Sequence, residues 1–452
     1  MKEFDLVVIG AGSGLNVATK AAAAGLKTAI VEEGPMGGTC LNRGCIPSKI
    51  ILHSADVAET TDGAPRFGIV PKGYSVDFAK VTRRASAAAD RESREIEEGI
   101  KDTENLTLFK SRARFIGERA IVAGTETIRG KKVVVAAGTR PAIPAIDGIN
   151  GVKYMTSDEA LRLRKQPKSV VILGGGFIAA EMAHFFGALG TKVIIVQRSM
   201  MLRNEDREIT DAYVKAVRKK YTVIPGYEPK SVSRKGGKIV LVVKNEAGAK
   251  TITADSFLVA TGRVPNSDVL DVAKAGIEVD NRGYIRTNDY LETTAKNVWA
   301  FGDIAGKYLL KHSANLEAQY VWNNISGRKK KVDYWPMPHA VFSSPQIAAV
   351  GYTEEELKEK GVDYVIGKHY YRGTGMGLAL DEKDGFVKML VERKSRKMLG
   401  CHIIGPDAAS IIHEAVVAMK AGLTADAIAH TVHIHPALSE VVQRAAMKAS
   451  KY

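Results

Sequence analysis

Two of the three cysteines in this 452-residue chain stand five positions apart, Cys40 and Cys45, in the stretch GGTCLNRGCIPSK. Thiols so spaced can bind a metal, cross-link a fold or exchange electrons with another disulfide. A zinc site would need a second ligand pair. Cys401 stands alone, and His433 and His435 are two apart, a poor metal spacing on a helix, so no metal site is expected. Three cysteines make no disulfide framework, and a link closing so short a loop adds little stability. Redox exchange fits better, in a reducing compartment such as the cytoplasm.

An electron carrier needs a source, and the flanking sequence provides for one. FDLVVIGAGSGLNVATKAAAAGLKTAIVEEG, from Phe4, and SVVILGGGFIAAEMAHFFGALGTKVIIVQRS, from Ser169, follow one plan: apolar strand, glycine turn, alanine-rich helix, second apolar strand. Each is a βαβ unit. A second echo, KKVVVAAGTRP and DSFLVATGRVPN, follows each unit at a distance. Two copies of one dinucleotide-binding plan are expected, with the cysteines directly after the first.

In the first copy, Gly10 and Gly12 let the backbone turn and approach a pyrophosphate at a helix N-terminus. Leu15 stands where a strict G-x-G-x-x-G has glycine, and Gly14 is placed to compensate. Glu32 ends the following strand, where a carboxylate accepts the ribose hydroxyl protons. The second copy reads Gly174-Gly175-Gly176-Phe177-Ile178-Ala179. Its strand ends on Gln197 and Arg198 rather than on a carboxylate, with Arg203 close by. Arginines pair with a 2′-phosphate that a carboxylate would repel, so NADP(H) is favoured over NAD(H).

The balance of the chain bounds its partners. The formal charge is +15, but the densest basic run, Arg328–Lys331, lacks interleaved aromatics and follows a glycine, so neither nucleic acid nor a membrane is an expected partner. From Pro336 the texture changes to strands (HAVFSSPQIAAVGYT, GFVKMLVER, LGCHIIG) and then helices, an α+β pattern with an antiparallel sheet. Lys329–Pro338 reads as a linker. Cys401, in an apolar strand, reads as a buried thiol.

These motifs, in this order, resemble the FAD-dependent pyridine nucleotide–disulfide oxidoreductases of class I along essentially the whole chain. GGTCLNRGCIPSK is similar to the active-site motif, TTAKNVWAFGDIAG to the second flavin motif and HIHPALSE to the interface motif. The resemblance implies an α/β chain with two Rossmann-like domains, for FAD (1–147 and 268–334) and NAD(P) (148–267), and a C-terminal α+β dimerisation domain (335–452). It implies that Cys45 faces the flavin and Cys40 the substrate. Lys49 and Glu181 would form an ion pair near the flavin, and His435, oriented by Glu440, would be the acid–base, reaching the thiols from the partner subunit of a homodimer. The implied flavin contacts are Gly10, Gly12, Ser13, Gly14, Glu32, Glu33, Gly38, Thr39, Cys40, Lys49, Ala113, Ala137, Gly138, Thr139, Asp303, Leu310 and His312. Those to the nicotinamide dinucleotide are Gly174, Gly176, Phe177, Ile178, Ala179, Glu181, Gln197, Arg198, Arg203 and Gly262.

Within the family, CLNRGCIPSK, HIHPALSE and LLKHSANLEA are closest to the dihydrolipoamide dehydrogenase forms. Gln197 and Arg198 lean instead toward an NADPH-dependent reductase of a low-molecular-weight disulfide. A dihydrolipoamide dehydrogenase-like enzyme is therefore the leading expectation and the small-disulfide reductase the alternative, the substrate in either case a small or lipoyl-bound dithiol or disulfide. A flavoprotein binding nucleotide without disulfide turnover is the reading of another class, and the joint presence of Cys40, Cys45, His435 and Glu440 argues against it.

Overall fold

The computed structural model describes residues 1–451. Both βαβ units form as the glycine and alanine pattern requires. In the first, strand Lys2–Ile9, helix Gly14–Ala23 and strand Thr28–Val31 follow one another, and the strands pair in parallel. In the second, strand Ser169–Leu173, helix Phe177–Ala188 and strand Lys192–Gln197 do the same. Strand residues such as Leu6, Val7, Val8, Val170, Val171 and Ile172 are wholly buried on both faces, as expected of parallel sheets covered on both sides.

The first sheet has seven strands. Its parallel part runs Leu106–Phe109, Thr28–Val31, Lys2–Ile9, Glu126–Val135, and Val298–Ala300 joins it alongside Glu126–Val135. The chain therefore returns to this sheet after building the second. That second sheet is parallel, in the order Thr222–Pro225, Lys192–Gln197, Ser169–Leu173, Ser256–Val259, with an antiparallel three-stranded sheet over residues 228–254. The paired echo AAGTRP and ATGRVPN becomes a contact: Thr139–Pro141 and Arg263–Pro265 form a two-stranded antiparallel ribbon between the two units.

The C-terminal sheet is antiparallel, in the order Pro338–Val341, Ile347–Gly351, Met398–Ile404, Phe386–Glu392, Tyr364–Tyr370. Helices Ala408–Lys420 and Glu440–Ala449 cover it. The stretch read as one strand, HAVFSSPQIAAVGYT, is two, because a turn containing the cis Ser344–Pro345 bond interrupts it. Residues 329–337 carry no helix or strand, and Lys329 and Lys331 of the basic run are ion-paired with Glu292 and Asp289. Cys401 is fully buried. No described helix is long and apolar enough to cross a membrane.

Glycines Gly37 and Gly38 set where the cysteine segment lies. Gly38 has φ +65°, and a Cβ there would sit 2.7 Å from the Cα of Gly12. Two glycines thus let the cysteine segment lie directly on the first phosphate turn. Gly68 has a similar φ, +79°, with nothing within 4 Å. Gly68→Ala is expected to cost about 1 kcal/mol from backbone strain alone. Gly38→Ala adds a backbone collision, so it should lower the apparent unfolding temperature clearly more than Gly68→Ala. Equal shifts in parallel thermal scans would refute the contact.

Candidate functional site

Cys40 lies within the short helix Gly38–Arg43, and Cys45 is the first residue of the helix Cys45–Gly63. Gly44 joins them. A Cβ at position 44 would meet the Thr39 carbonyl oxygen at 2.9 Å and the Cα of Cys40 at 3.1 Å, so only glycine lets the two helices abut. Asn42, 4% exposed, clamps the preceding turn by donating to the carbonyls of Met36 (2.7 Å) and Gly38 (2.9 Å). The result is two free thiols in hydrogen-bonding contact.

The pair is asymmetric. The hydrogen bond from Cys40 lowers the Cys45 pKa to about 7, against the effect of burial, and the Lys49 ammonium lowers it further. Its position at the start of a 19-residue helix acts in the same sense, because unpaired N–H groups there favour an anion. Cys40 moves the other way, since it donates to Cys45, is partly buried and faces a neighbouring thiolate. In the reduced pair Cys45 therefore holds the charge and Cys40 the proton.

Lys49, one turn along from Cys45, donates to both oxygens of Glu181, each at 2.9 Å. Glu181 is 5% exposed on the helix Phe177–Ala188. It also accepts from the backbone N–H of Phe342 at 3.2 Å, and the Phe342 ring lies 4.3 Å from the Lys49 ammonium. Three parts of the chain thus meet at one ion pair. One turn further, buried His184 meets Asp56 of the cysteine helix at 2.7 Å. Phe342 and His184 carry no sequence signal, because their roles arise from packing between distant segments.

The glycine turns repeat one geometry. Gly10 (φ +103°) and Gly174 (φ +131°) are forced, since a Cβ would meet the carbonyl oxygens of Ala136 at 2.4 Å and Ala260 at 2.1 Å. Over Gly12 the nearest atom to a Cβ is 3.7 Å away, and over Gly176 nothing lies within 4 Å, which leaves room for a pyrophosphate above each helix N-terminus. Gly14 supplies the close helix–strand packing that Leu15 cannot, with Val8 and Ala136 at 3.0 and 3.1 Å from its would-be Cβ.

Glu32 accepts from the N–H groups of Ala11 and Gly34, both at 2.8 Å, which holds its carboxylate beside the first turn. Gln197 occupies the matching place at the second: 5% exposed, its Oε1 unpartnered, packed directly under Gly175. Arg198 and Arg203 are exposed, and neither pairs with a carboxylate among the described residues. These donor sets fit an FAD and a nicotinamide dinucleotide respectively.

Other expected contacts divide. Ser13 accepts from the Lys311 ammonium at 3.0 Å. Thr139 donates to Asp303 at 3.0 Å and accepts from Arg263 at 2.6 Å, beside Ala137 and Gly138. Burial raises the Asp303 carboxyl, opposed by Arg263. Ala113 is buried in the strand Ala113–Gly117, and Gly262 has open space over its Cα. Leu310 caps the helix Lys311–Ile325, but the His312 ring is spent on the Pro338 carbonyl at 2.8 Å and Glu33 on Arg112 at 2.8 Å. Arg263, though in the quoted TGRVPN stretch, was not anticipated as part of this network.

His435 Nδ1 lies 3.0 Å from Glu440 Oε1, and Glu440 Oε2 accepts from the N–H of Ala437 at 3.1 Å. The histidine holds the Glu440 carboxyl below its usual range. The His435 side chain is 73% exposed, and Val432 and Ile434 just before it are 94% and 80% exposed. His433 is different: its Nε2 is pinned to Glu414 at 2.5 Å. Among the described residues no hydrogen bond or ion pair joins His435 or Glu440 to the cysteine segment.

A pH titration of thiolate absorbance in the reduced protein should show one group with a midpoint near 7. The midpoint should rise in Lys49→Met, because the cation stabilises the thiolate. Cys45→Ser should abolish the transition, and its survival there would overturn the assignment.

Residues 4–319 match the family model described as pyridine nucleotide-disulphide oxidoreductase, and residues 337–446 match that family's dimerisation domain. The chain is 38% identical over 460 residues to a mycothione reductase of Mycobacterium tuberculosis, covering 98% of this chain and 99% of the relative. It is 34% identical to a dihydrolipoyl dehydrogenase of Geobacillus stearothermophilus over 98% of this chain and 96% of that one. Among solved structures, the Cu(II) complex of the HOCl-induced flavoprotein disulfide reductase RclA from Escherichia coli superposes with a TM-score of 0.89 at 27% identity, covering 99% of each chain. Glycine turns, paired thiols and C-terminal sheet stand in the order those matches require, and the chain belongs to the pyridine nucleotide–disulphide oxidoreductase family, the flavin-dependent enzymes that pass electrons between a pyridine nucleotide and a disulfide.

Proposed function

We propose that the protein is an NADPH-dependent flavoprotein homodimer that reduces a small disulfide in the cytoplasm. The observation that carries this reading is the end of the strand Lys192–Gln197, where a neutral amide replaces the carboxylate of the first unit and Arg198 and nearby Arg203 pair with no carboxylate among the described residues. The match to a mycothione reductase supports it. Residues 1–147 and 268–334 would hold FAD, 148–267 the coenzyme, and 335–452 the dimer contact.

Bound FAD supplies the two-electron relay between nicotinamide and cysteine pair. The protein's own residues do the rest. The Cys40 thiolate attacks one sulfur of the substrate disulfide, and the second sulfur leaves as a thiol. Cys45, already ionised near neutral pH, then attacks Cys40 of the mixed disulfide, which closes the Cys40–Cys45 disulfide and expels the other sulfur as a thiolate that takes its proton from solvent. His435, held by Glu440, takes the Cys40 proton and returns it to the leaving sulfur. Lys49 keeps positive charge beside Cys45 throughout. Since His435 is exposed and unconnected to its own cysteines, it serves the partner's pair.

Oxidation of dihydrolipoamide is the second reading, favoured by the HIHPALSE stretch and the dihydrolipoyl dehydrogenase match. Turnover of a thiol-disulfide panel with NADPH, beside dihydrolipoamide with NAD⁺ and NADP⁺, separates the two. NADPH-driven disulfide reduction supports the first, and dihydrolipoamide oxidation alone supports the second. Arg203→Ala should raise the KM for NADPH about tenfold and leave that for NADH unchanged. His435→Ala should lower turnover by roughly 10²–10⁴. A hybrid of one Cys45→Ser and one His435→Ala subunit should recover about half the wild-type rate, because one complete site reforms across a two-fold interface. An inactive hybrid would place His435 in its own subunit's site.

A further inference from the structure

Lys388 is a lysine with no exposure at all, in the middle of the strand Phe386–Glu392. Its cross-strand neighbours are Lys368 and His402. Two lysines opposite one another in a sheet repel, and a buried ammonium without partners would lose its proton. Three carboxylates prevent both. Lys388 meets both oxygens of Asp206 at 3.0 Å, Glu354 at 2.5 Å and Glu208 at 3.1 Å. Glu208 also pairs with Lys368, and Glu354 with Lys358 at 2.7 Å, so three cations balance three anions. Burial alone would favour the neutral amine, but Glu354 and Asp206 outweigh it and keep Lys388 charged.

Two of those carboxylates come from the coenzyme-binding half. Asp206, 0% exposed, accepts from the N–H of Glu208 at 3.1 Å at the start of the helix Arg207–Arg218, and from the N–H of Glu354 at 3.2 Å. Glu205, its neighbour, meets the ring of His339, on the first strand of the C-terminal sheet, at 2.9 Å. Between the two arginines, the N–H of Leu202 donates to the Gly175 carbonyl at 2.7 Å. The segment carrying Arg198 and Arg203 is therefore tied to the phosphate turn on one side and to the C-terminal sheet on the other. Arg203 faces solvent between the two ties, and Arg198, also facing solvent, lies between the strand end at Gln197 and the Leu202 tie.

We propose that Lys388, with Glu205 and His339 as a second tie, is a positioning residue for coenzyme choice: it fixes the 198–206 segment so that Arg198 and Arg203 meet a 2′-phosphate. This rests on the NADPH reading above. It makes the C-terminal half a determinant of coenzyme affinity though it touches no coenzyme.

The test uses the FAD-loaded dimer and two probes, 2′,5′-ADP and 5′-AMP, as inhibitors competitive with coenzyme. Arg198→Ala combined with Arg203→Ala tests the NADPH reading alone. If the double variant binds 2′,5′-ADP as tightly as wild type, that reading fails and the proposal with it. Lys388→Gln tests the tie. We expect amide hydrogen exchange to rise across 198–205, 2′,5′-ADP to bind about tenfold more weakly, 5′-AMP to bind unchanged, and kcat at saturating NADPH to hold. Loss of a partner among buried charges can prevent folding, so Glu205→Gln, which breaks the less buried tie, carries the same expectation at about threefold. A folded variant with unchanged exchange and unchanged 2′,5′-ADP affinity overturns the proposal. So does an equal loss for both probes, which would mark a general structural role.

Discussion

The ion pair between Lys49 and Glu181 is the contact on which the arrangement of the site depends. The cysteine helix starts in the first nucleotide unit, and Glu181 belongs to the second. A carboxylate 5% exposed must be matched by donors, and it has three: two hydrogen bonds from Lys49 and one from the Phe342 N–H. Because Phe342 belongs to the C-terminal part, satisfying this one carboxylate fixes the relation of all three parts of the chain. The same lysine lowers the Cys45 pKa, so the geometry of the fold and the charge state of the redox pair share a cause.

The two nucleotide units show how one backbone solution takes two chemistries. The forced glycine at each turn meets a carbonyl from the strand that ends beside it, and the open glycine leaves space over a helix N-terminus. What differs is the residue at the end of the second strand. Glu32 is held by two backbone N–H groups, while Gln197 lies under Gly175 with its oxygen unpartnered. The repeated fold supplies the place, and the side chain at the strand end differs in charge between the two units.

The thiols differ in proton affinity. A pair with equal pKa values would leave attacking and resolving sulfur undistinguished. Here Cys45 is stabilised as a thiolate by Cys40, Lys49 and the helix start, and Cys40 keeps its proton. His435 stands on an exposed loop directly after Ile434 and three residues after Val432, apolar side chains left largely bare within one chain. Side chains so bare suit burial against a second copy, in keeping with the match of residues 337–446 to a dimerisation domain.

Much of this was legible in the chain itself. The strand–glycine–helix–strand echo named both parallel units, since short-range backbone constraints act over a few residues and leave a pattern in glycine, alanine and β-branched positions. Cys40, Cys45, Lys49 and the His435–Glu440 spacing were legible for the same reason, because each set lies within one or two turns of chain. Gln197 and Arg198 announced the coenzyme question at a single strand end. The sequence by itself thus determined the parts and their local chemistry. Only the tertiary structure decided which parts meet: Glu181 with Phe342, His184 with Asp56, Arg263 with Thr139, and Lys388 with Asp206 across 182 positions. Such contacts follow from the burial of charges that must find partners, and a buried charge leaves no period or motif in the sequence to show where its partner will be.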